Sequence, residues 1–189
     1  MPFTPYHIGP TATLGLLFKR WIDLPVFLLV NIVVDMEVLV IMIFDLELPR
    51  HYLLHTFLIG GLIGGISGLA MYPLRRLFAW GMNLFRLPYK TGLRKMVISG
   101  ILGIWLHVLI DSLCHYDILM FWPNRYRLFL KLQRHLGWHG LMRGVEVACL
   151  VFFVPATILY VLNVVSYRRK RASQRQSLDG SPPADKLDP

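Results

Sequence analysis

The stretch from Leu24 to Leu46, LPVFLLVNIVVDMEVLVIMIFDL, decides the fold class. It is apolar for long enough to cross about 30 Å of hydrocarbon at roughly 1.5 Å per helical residue. Near its middle it nevertheless carries Asp35 and Glu37. A charge at the bilayer centre costs about 2.5–3.5 kcal/mol on insertion scales, so such residues normally face a cavity or a partner and are functional candidates by default. Three further stretches have spanning length: Tyr52 to Tyr72, Met96 to Cys114, and Val145 to Tyr167. Ahead of the first span, the apolar run from Ile8 to Phe18 is too short to cross and ends at Lys19 and Arg20. The expected fold is therefore all-α: an integral membrane bundle of about four spanning helices with an N-terminal re-entrant or interfacial half-helix.

Composition points the same way. The 189 residues are 55% hydrophobic and 16% charged, with mean hydropathy +0.51, whereas a soluble domain is about a quarter charged. The pI near 9.9 does not imply nucleic acid, because the basic residues sit between and after the apolar runs, where membrane proteins place them. Cys114 and Cys149 lie in or beside apolar runs with no C-x-x-C spacing, which predicts free, buried thiols. No positive n-region or small-residue cleavage site marks the start, so a cleaved signal peptide is not expected.

Residues 1–171 read as one membrane domain, and 172–189, rich in Ser, Asp and Pro, as a disordered cytoplasmic tail. Lys19 and Arg20, the link carrying Arg75, Arg76, Arg86, Lys90, Arg94 and Lys95, and the tail's Arg168 to Arg171 share one side in a four-span topology. The positive-inside rule makes that side the cytoplasm, with the C-terminus cytoplasmic. The opposite side holds Arg50 and a loop over about 115–143 with Arg125, Arg127, Lys131, Arg134 and Arg143. Leu128, Leu132 and Leu136 recur there every four residues, which predicts an amphipathic helix on the outer leaflet. In the second span Gly60 with Gly64, and Gly61 with Gly65, are small-xxx-small pairs that let helices approach closely.

The chemistry lies in histidines and carboxylates. His107, Asp111 and His115 are spaced by four and share one helical face, with Asp117 close behind. His51 and His55 are also four apart, at the mouth of the second span, a common way to hold a metal from one helix. The topology brings both groups, and His7 at the start of the half-helix, into the outer half of the membrane, and His139 can join them there. Asp35 and Glu37, two apart, point about 200° apart on a regular helix. Either the helix breaks, or the site lies between helices, or one of the pair acts behind a ligand. Imidazoles mixed with carboxylates suit a divalent metal, Zn or Mn foremost, and more than four ligands admit two ions. Taken singly each residue has an ordinary reading: an interhelical hydrogen bond for His55 or His107, an interfacial ion pair for His115 and Asp117, a turn beside an interfacial Trp138 for His139. It is their convergence that points to a metal. No G-x-S-x-G, P-loop or H-E-x-x-H motif appears.

Four motifs in order carry a family resemblance: Pro2-Phe3-Thr4-Pro5-Tyr6-His7-Ile8-Gly9-Pro10, Asp35-Met36-Glu37, His51-Tyr52-Leu53-Leu54-His55-Thr56, and His107-Val108-Leu109-Ile110-Asp111 running on through His115-Tyr116-Asp117 to Phe121-Trp122-Pro123. Over roughly residues 1–145 the chain resembles the YdjM-type bacterial inner-membrane proteins, the membrane-bound metal-dependent hydrolases. The resemblance implies that His7, Asp35, Glu37, His51, His55, His107 and Asp111 line a polar site, with His115 and Asp117 as an extension. Tyr52-Leu53-Leu54 stands where that family usually has small or turn residues, and Met36-Glu37 where many members have Ile-Asp. The expected function is metal-dependent hydrolysis at the membrane, of a lipid or phosphoester. His7, Asp35, His51, His55, His107, Asp111 and His115 are the expected ligands, and Glu37 or Asp117 the expected general base. The alternatives are a non-catalytic metal-binding membrane protein and a metal or proton transporter. The sequence leaves the oligomeric state open.

Overall fold

The computed structural model describes residues 5–178, and within them the chain is built of helices without strands. In chain order they are α1 (Pro5–Leu17), α2 (Leu24–Ile43), α3 (Phe57–Ala70), α4 (Arg75–Leu84), α5 (Leu93–Cys114), α6 (Leu130–Leu136), α7 (Trp138–Val151) and α8 (Phe153–Leu178). Three helical runs are long and apolar enough to cross a membrane: α2, α5, and Trp138–Gln174 across α7 and α8. α3 continues into α4 through a 42° bend and makes a fourth if the pair is taken as one span. Their surfaces are apolar outward as well as inward: Ile32, Leu39 and Val40 on α2, Leu58, Leu62 and Ile66 on α3, and Val147, Leu150 and Ile158 on α7 and α8 are exposed. A helix that is hydrophobic all round belongs in a core or a bilayer, and these lie on the outside.

Local signals set the helix starts. Asp23 caps α2, its side chain accepting from the Val26 amide at 3.2 Å, with Pro25 in the first turn. Thr56 caps α3 in the same way, its hydroxyl accepting from the Ile59 amide at 3.1 Å. The closest helix pair is α3 with α5. A methyl group added at Gly64 would strike the Gly100 carbonyl, one at Gly100 the Gly64 carbonyl, and one at Gly68 the Met96 carbonyl. The backbones touch here, which only glycine permits. α2 crosses α5 at Gly103, against Val30 and Phe27. α1, about 20 Å long at 1.5 Å per residue, packs on α2, α7 and α8, with Thr13 donating to the Phe152 carbonyl at 2.7 Å. It runs from His7 at one end of the bundle to Lys19, which bonds Asn163 of α8, toward the other.

The bundle thus has two polar ends. At one, Asp23 accepts from Tyr89 and Thr91, Lys95 donates to the Lys19 carbonyl, and Tyr160 donates to the Phe85 carbonyl. At the other, the α2–α3 loop meets the start of α1 and the end of α5.

Several boundaries differ from the sequence reading. Residues 52–56 are not helical, because three successive amides there donate to Glu37 rather than up a helix. α5 begins before Met96 and α7 before Val145. α6 is short, and its buried Gln133 donates to the Ser112 and Leu113 carbonyls, closing the end of α5, while Leu132 and Leu136 face outward. α8 runs to Leu178, six residues past Ala172, the start of the disordered tail in the sequence reading. The rest of that tail, 179–189, and the first residues of the N-terminal motif lie outside the described residues.

Candidate metal centre

α5 is regular through Cys114, so His107 and Asp111 stand one turn apart on its buried face, with Nε2 of His107 3.1 Å from Oδ2 of Asp111. α2 brings Asp35 to the same nitrogen, at 3.2 Å. The α2–α3 loop brings His55, whose Nε2 is 3.9 Å from Asp111 Oδ2. α1 brings His7, whose Nε2 is 3.0 Å from Asp111 Oδ1 and whose ring stacks on His107 at 4.1 Å between centroids. Asp35, His55, His107 and Asp111 each offer one ligand atom within 4.8 Å of the others. Three segments distant in sequence supply this quartet, and a fourth supplies His7.

The imidazoles are oriented from behind. His107 Nδ1 lies 3.2 Å from the amide oxygen of Asn31, whose NH2 group donates to the Phe27 and Leu28 carbonyls. The proton of His107 is thereby assigned to Nδ1, and Nε2 faces the carboxylates. His55 Nδ1 lies 2.9 Å from Glu37 Oε2. Glu37 also accepts from the amides of Tyr52, Leu53 and Leu54 at 3.1, 2.8 and 2.9 Å. This carboxylate shapes the loop and fixes the His55 ring. It has no oxygen left for proton transfer to water, which argues against the expected general-base role. The 200° problem is resolved accordingly: α2 is regular, Asp35 faces the centre, and Glu37 acts through His55.

The residues present fit a divalent cation. His55 Nε2 and both nitrogens of His7 are buried with no hydrogen-bond partner among the described residues. His7 Nε2 is close to Asp111 but lacks hydrogen-bond alignment. Leaving a buried polar atom unsatisfied costs about 1–3 kcal/mol. Two carboxylates would neutralise a 2+ charge, and the oxygen and imidazole donors suit Zn or Mn.

A second group adjoins the first. His51 Nδ1 is 2.9 Å from Asp117 Oδ2, and the His51 amide donates to the same oxygen at 3.3 Å. The His115 ring lies 4.2 Å from that of His51, and His51, His115 and Asp117 again offer ligand atoms within 4.8 Å. Burial, reinforced by His51, lowers the His115 pKa to about 4. Burial opposes ionisation of Asp117, but the hydrogen bond from His51 outweighs it and lowers the carboxyl to about 2. His51 meets His55 edge-on at 4.7 Å, and His55 meets His107 at 5.6 Å. Five rings therefore run in file: His115, His51, His55, His107, His7.

The expected residues divide between the two groups for local reasons. His51 and His55 share no helix, so their i, i+4 spacing does not aim them at one ion. His115 ends α5 in extended backbone (φ −114°, ψ 124°) and leaves the face of His107 and Asp111. His139 packs on Trp138 at 4.8 Å and is exposed, as is His135, and neither joins the file. Sequence reasoning missed Asn31, although it lies one turn before Asp35 on the same face of α2. Cys114 and Cys149 are free and buried, as expected. No protein-family model matches the chain, and no curated protein or solved structure matches it.

Proposed function

We propose that the protein is a membrane-bound, metal-dependent hydrolase of phosphoesters, with Asp35, His55, His107 and Asp111 holding the ion and His7 at its edge. The observation that carries this reading is His55: one nitrogen is engaged by Glu37, and the other is buried, unbonded and turned toward Asp111. A carboxylate behind a histidine is the usual support of a metal ligand. Bound there, a divalent ion supplies a nucleophilic hydroxide near neutral pH and polarises a phosphoryl oxygen. Asn31 and Glu37 engage Nδ1 of His107 and His55 and so turn Nε2 of each toward the carboxylates. Asp35, with 21% of its side chain exposed against 7% for Asp111, forms the open side of the centre, where water and substrate enter.

The phosphoester class rests on the neighbouring surface. Arg125, Tyr126, Arg127, Leu128 and Lys131 line an open cavity of about 730 Å³, and arginine pairs with phosphate through two parallel hydrogen bonds. Arg127 also lines a smaller cavity with His115. Apolar surface beside these cations suits a phosphate carried by a lipid. The distribution of Lys and Arg supports a cytoplasmic C-terminus with the centre in the outer half of the membrane, and the resemblance to the YdjM-type proteins supports a bacterial inner membrane. The resemblance of the four motifs to those of the YdjM-type proteins supports the same activity.

The file of five rings favours one alternative, a path for protons or metal ions, since intramembrane His and carboxylate chains also serve as relays. Metal content of detergent-purified protein, followed by phosphate release from phospholipid and soluble phosphoesters with and without chelator, separates the two. The hydrolase reading expects stoichiometric Zn or Mn, lost in His55→Ala and His107→Ala, together with chelator-sensitive release. Full metal occupancy with no release, and metal uptake into proteoliposomes, would establish the transport reading instead.

A further inference from the structure

We propose that His51, His115 and Asp117 form a second, separate divalent-cation site that fills independently of the centre at Asp111. The three residues come from two segments that local structure holds in place. His51 is buried in the loop that Glu37 fixes. His115 closes α5, its amide donating to the Asp111 carbonyl at 2.8 Å while Gln133 approaches its own carbonyl. Asp117 lies in the segment anchored by the Phe57 amide, which donates to the Met120 carbonyl at 2.8 Å. Two imidazoles and a carboxylate with a fourth position open is the donor set of a three-ligand zinc site. The nitrogen donors select Zn, Co or Ni over Mg or Ca.

The two groups have no residue in common. Two-metal hydrolytic centres place their ions about 3.5–4 Å apart as a joint clamp on the reacting oxygens. Here the side chains of the two groups meet at the edge contact of His51 with His55, and the only carboxylate of the outer group, Asp117, belongs to it alone, so the sites are neighbours rather than halves of one centre. Charge ranks them. The inner group has two carboxylates for one cation and the outer group has one, and a cation already bound at the inner site repels a second. Asp117, with 39% of its side chain exposed against 7% for Asp111, opens the outer site to solvent. The outer ion therefore binds more weakly and exchanges faster. His115 also lines a small cavity of about 10 Å³ with Tyr116, Arg127 and Gln133, room for about one water beside the outer group.

Co²⁺ titration of the full chain in detergent, read by visible absorption and by metal content after desalting, tests this. The expected result is two Co²⁺ per wild-type chain in two phases, the weaker lost in His115→Ala and in Asp117→Asn. Asp117→Asn keeps a carbonyl oxygen for the His51 amide and so spares the loop. His107→Ala should retain the weaker ion and lose the tighter one. A single ion, lost in His107→Ala and kept in both outer variants, would overturn the second site and leave the inner centre intact. A single ion kept in His107→Ala and lost in His115→Ala would instead remove the inner centre, and with it the hydrolase reading. No bound Co²⁺ in the wild type would overturn both.

Discussion

Asp23 and Asp111 are both buried carboxylates, at opposite ends of the same bundle. Around Asp23 the partners are donors: the Tyr89 hydroxyl at 2.8 Å, the Thr91 hydroxyl and the Val26 amide, while its own amide donates to Ser99 at 2.6 Å. Around Asp111 the partners are imidazoles from three elements, and several of their nitrogens stay unbonded. A buried carboxylate surrounded by hydroxyl and amide donors is complete as it stands, and it ties α2 to the α4–α5 link. Buried imidazole nitrogens without a hydrogen-bond partner, set beside a carboxylate, are incomplete, and a cation would complete them. Burial is the same in both places. The identity of the neighbouring groups separates a structural latch from a site.

Substitution at the centre should have the largest effect. His107→Ala or Asp111→Asn removes a direct donor, so affinity at the inner site should fall by more than the roughly 100-fold upper range seen for supporting residues. Isothermal titration with Zn²⁺ on the detergent-purified protein measures this, and an unchanged Kd would dissolve the distinction between the two ends. Glu37→Gln should come next, at about 10–100-fold weaker binding, since the His55 ring loses its charged acceptor while the loop amides keep a carbonyl. Wild-type affinity in that variant would mean that Glu37 only shapes the loop.

The latch should behave in the opposite way. Asp23→Ala removes a helix cap, which costs about 0.5–2 kcal/mol, and orphans Tyr89 and Thr91. Thermal unfolding should occur at lower temperature while Zn²⁺ affinity at the inner site stays within about twofold. Loss of metal binding in this variant would show that the two ends are coupled through α2.

The sequence made the spans legible because apolar length is a local property, and it marked Asp35, His107 and Asp111 because a charge inside such a run is expensive wherever it points. Their helical spacing holds because α5 is uninterrupted. The same spacing misled at His51 and His55. Nothing near them announces that Glu37, at least 15 residues earlier, takes three consecutive amides and keeps the chain out of a helix. The latch was illegible for the same reason. Asp23 finds Tyr89 and Ser99 66 and 76 residues away, a pairing set by helix packing that no local pattern encodes. Asn31 escaped notice because an uncharged amide in a span costs less than a carboxylate and so draws less attention.

The smallest effect should be a pH dependence in protein stripped of metal by chelation, and it belongs to the outer group. His115 has its pKa lowered by burial to about 4 in the folded chain, against about 6.5 unfolded. The unfolded state therefore binds more protons between those values, and stability falls as pH drops through that window. Asp117, lowered to about 2 with the help of His51, stabilises the fold above its unfolded value of about 3.9 and loses that contribution only as pH falls further toward 2. Acid should thus weaken the site end in two steps, the His115 step first. In His115→Gln the midpoint of thermal unfolding should vary less between pH 6.5 and 4, while the slope below pH 4 persists. The latch end has no histidine to contribute, so an equal flattening in Asp23→Ala would show that the acid response does not distinguish the ends. Adding Zn²⁺ should steepen the loss in wild type, because protons and the cation compete for the same imidazoles.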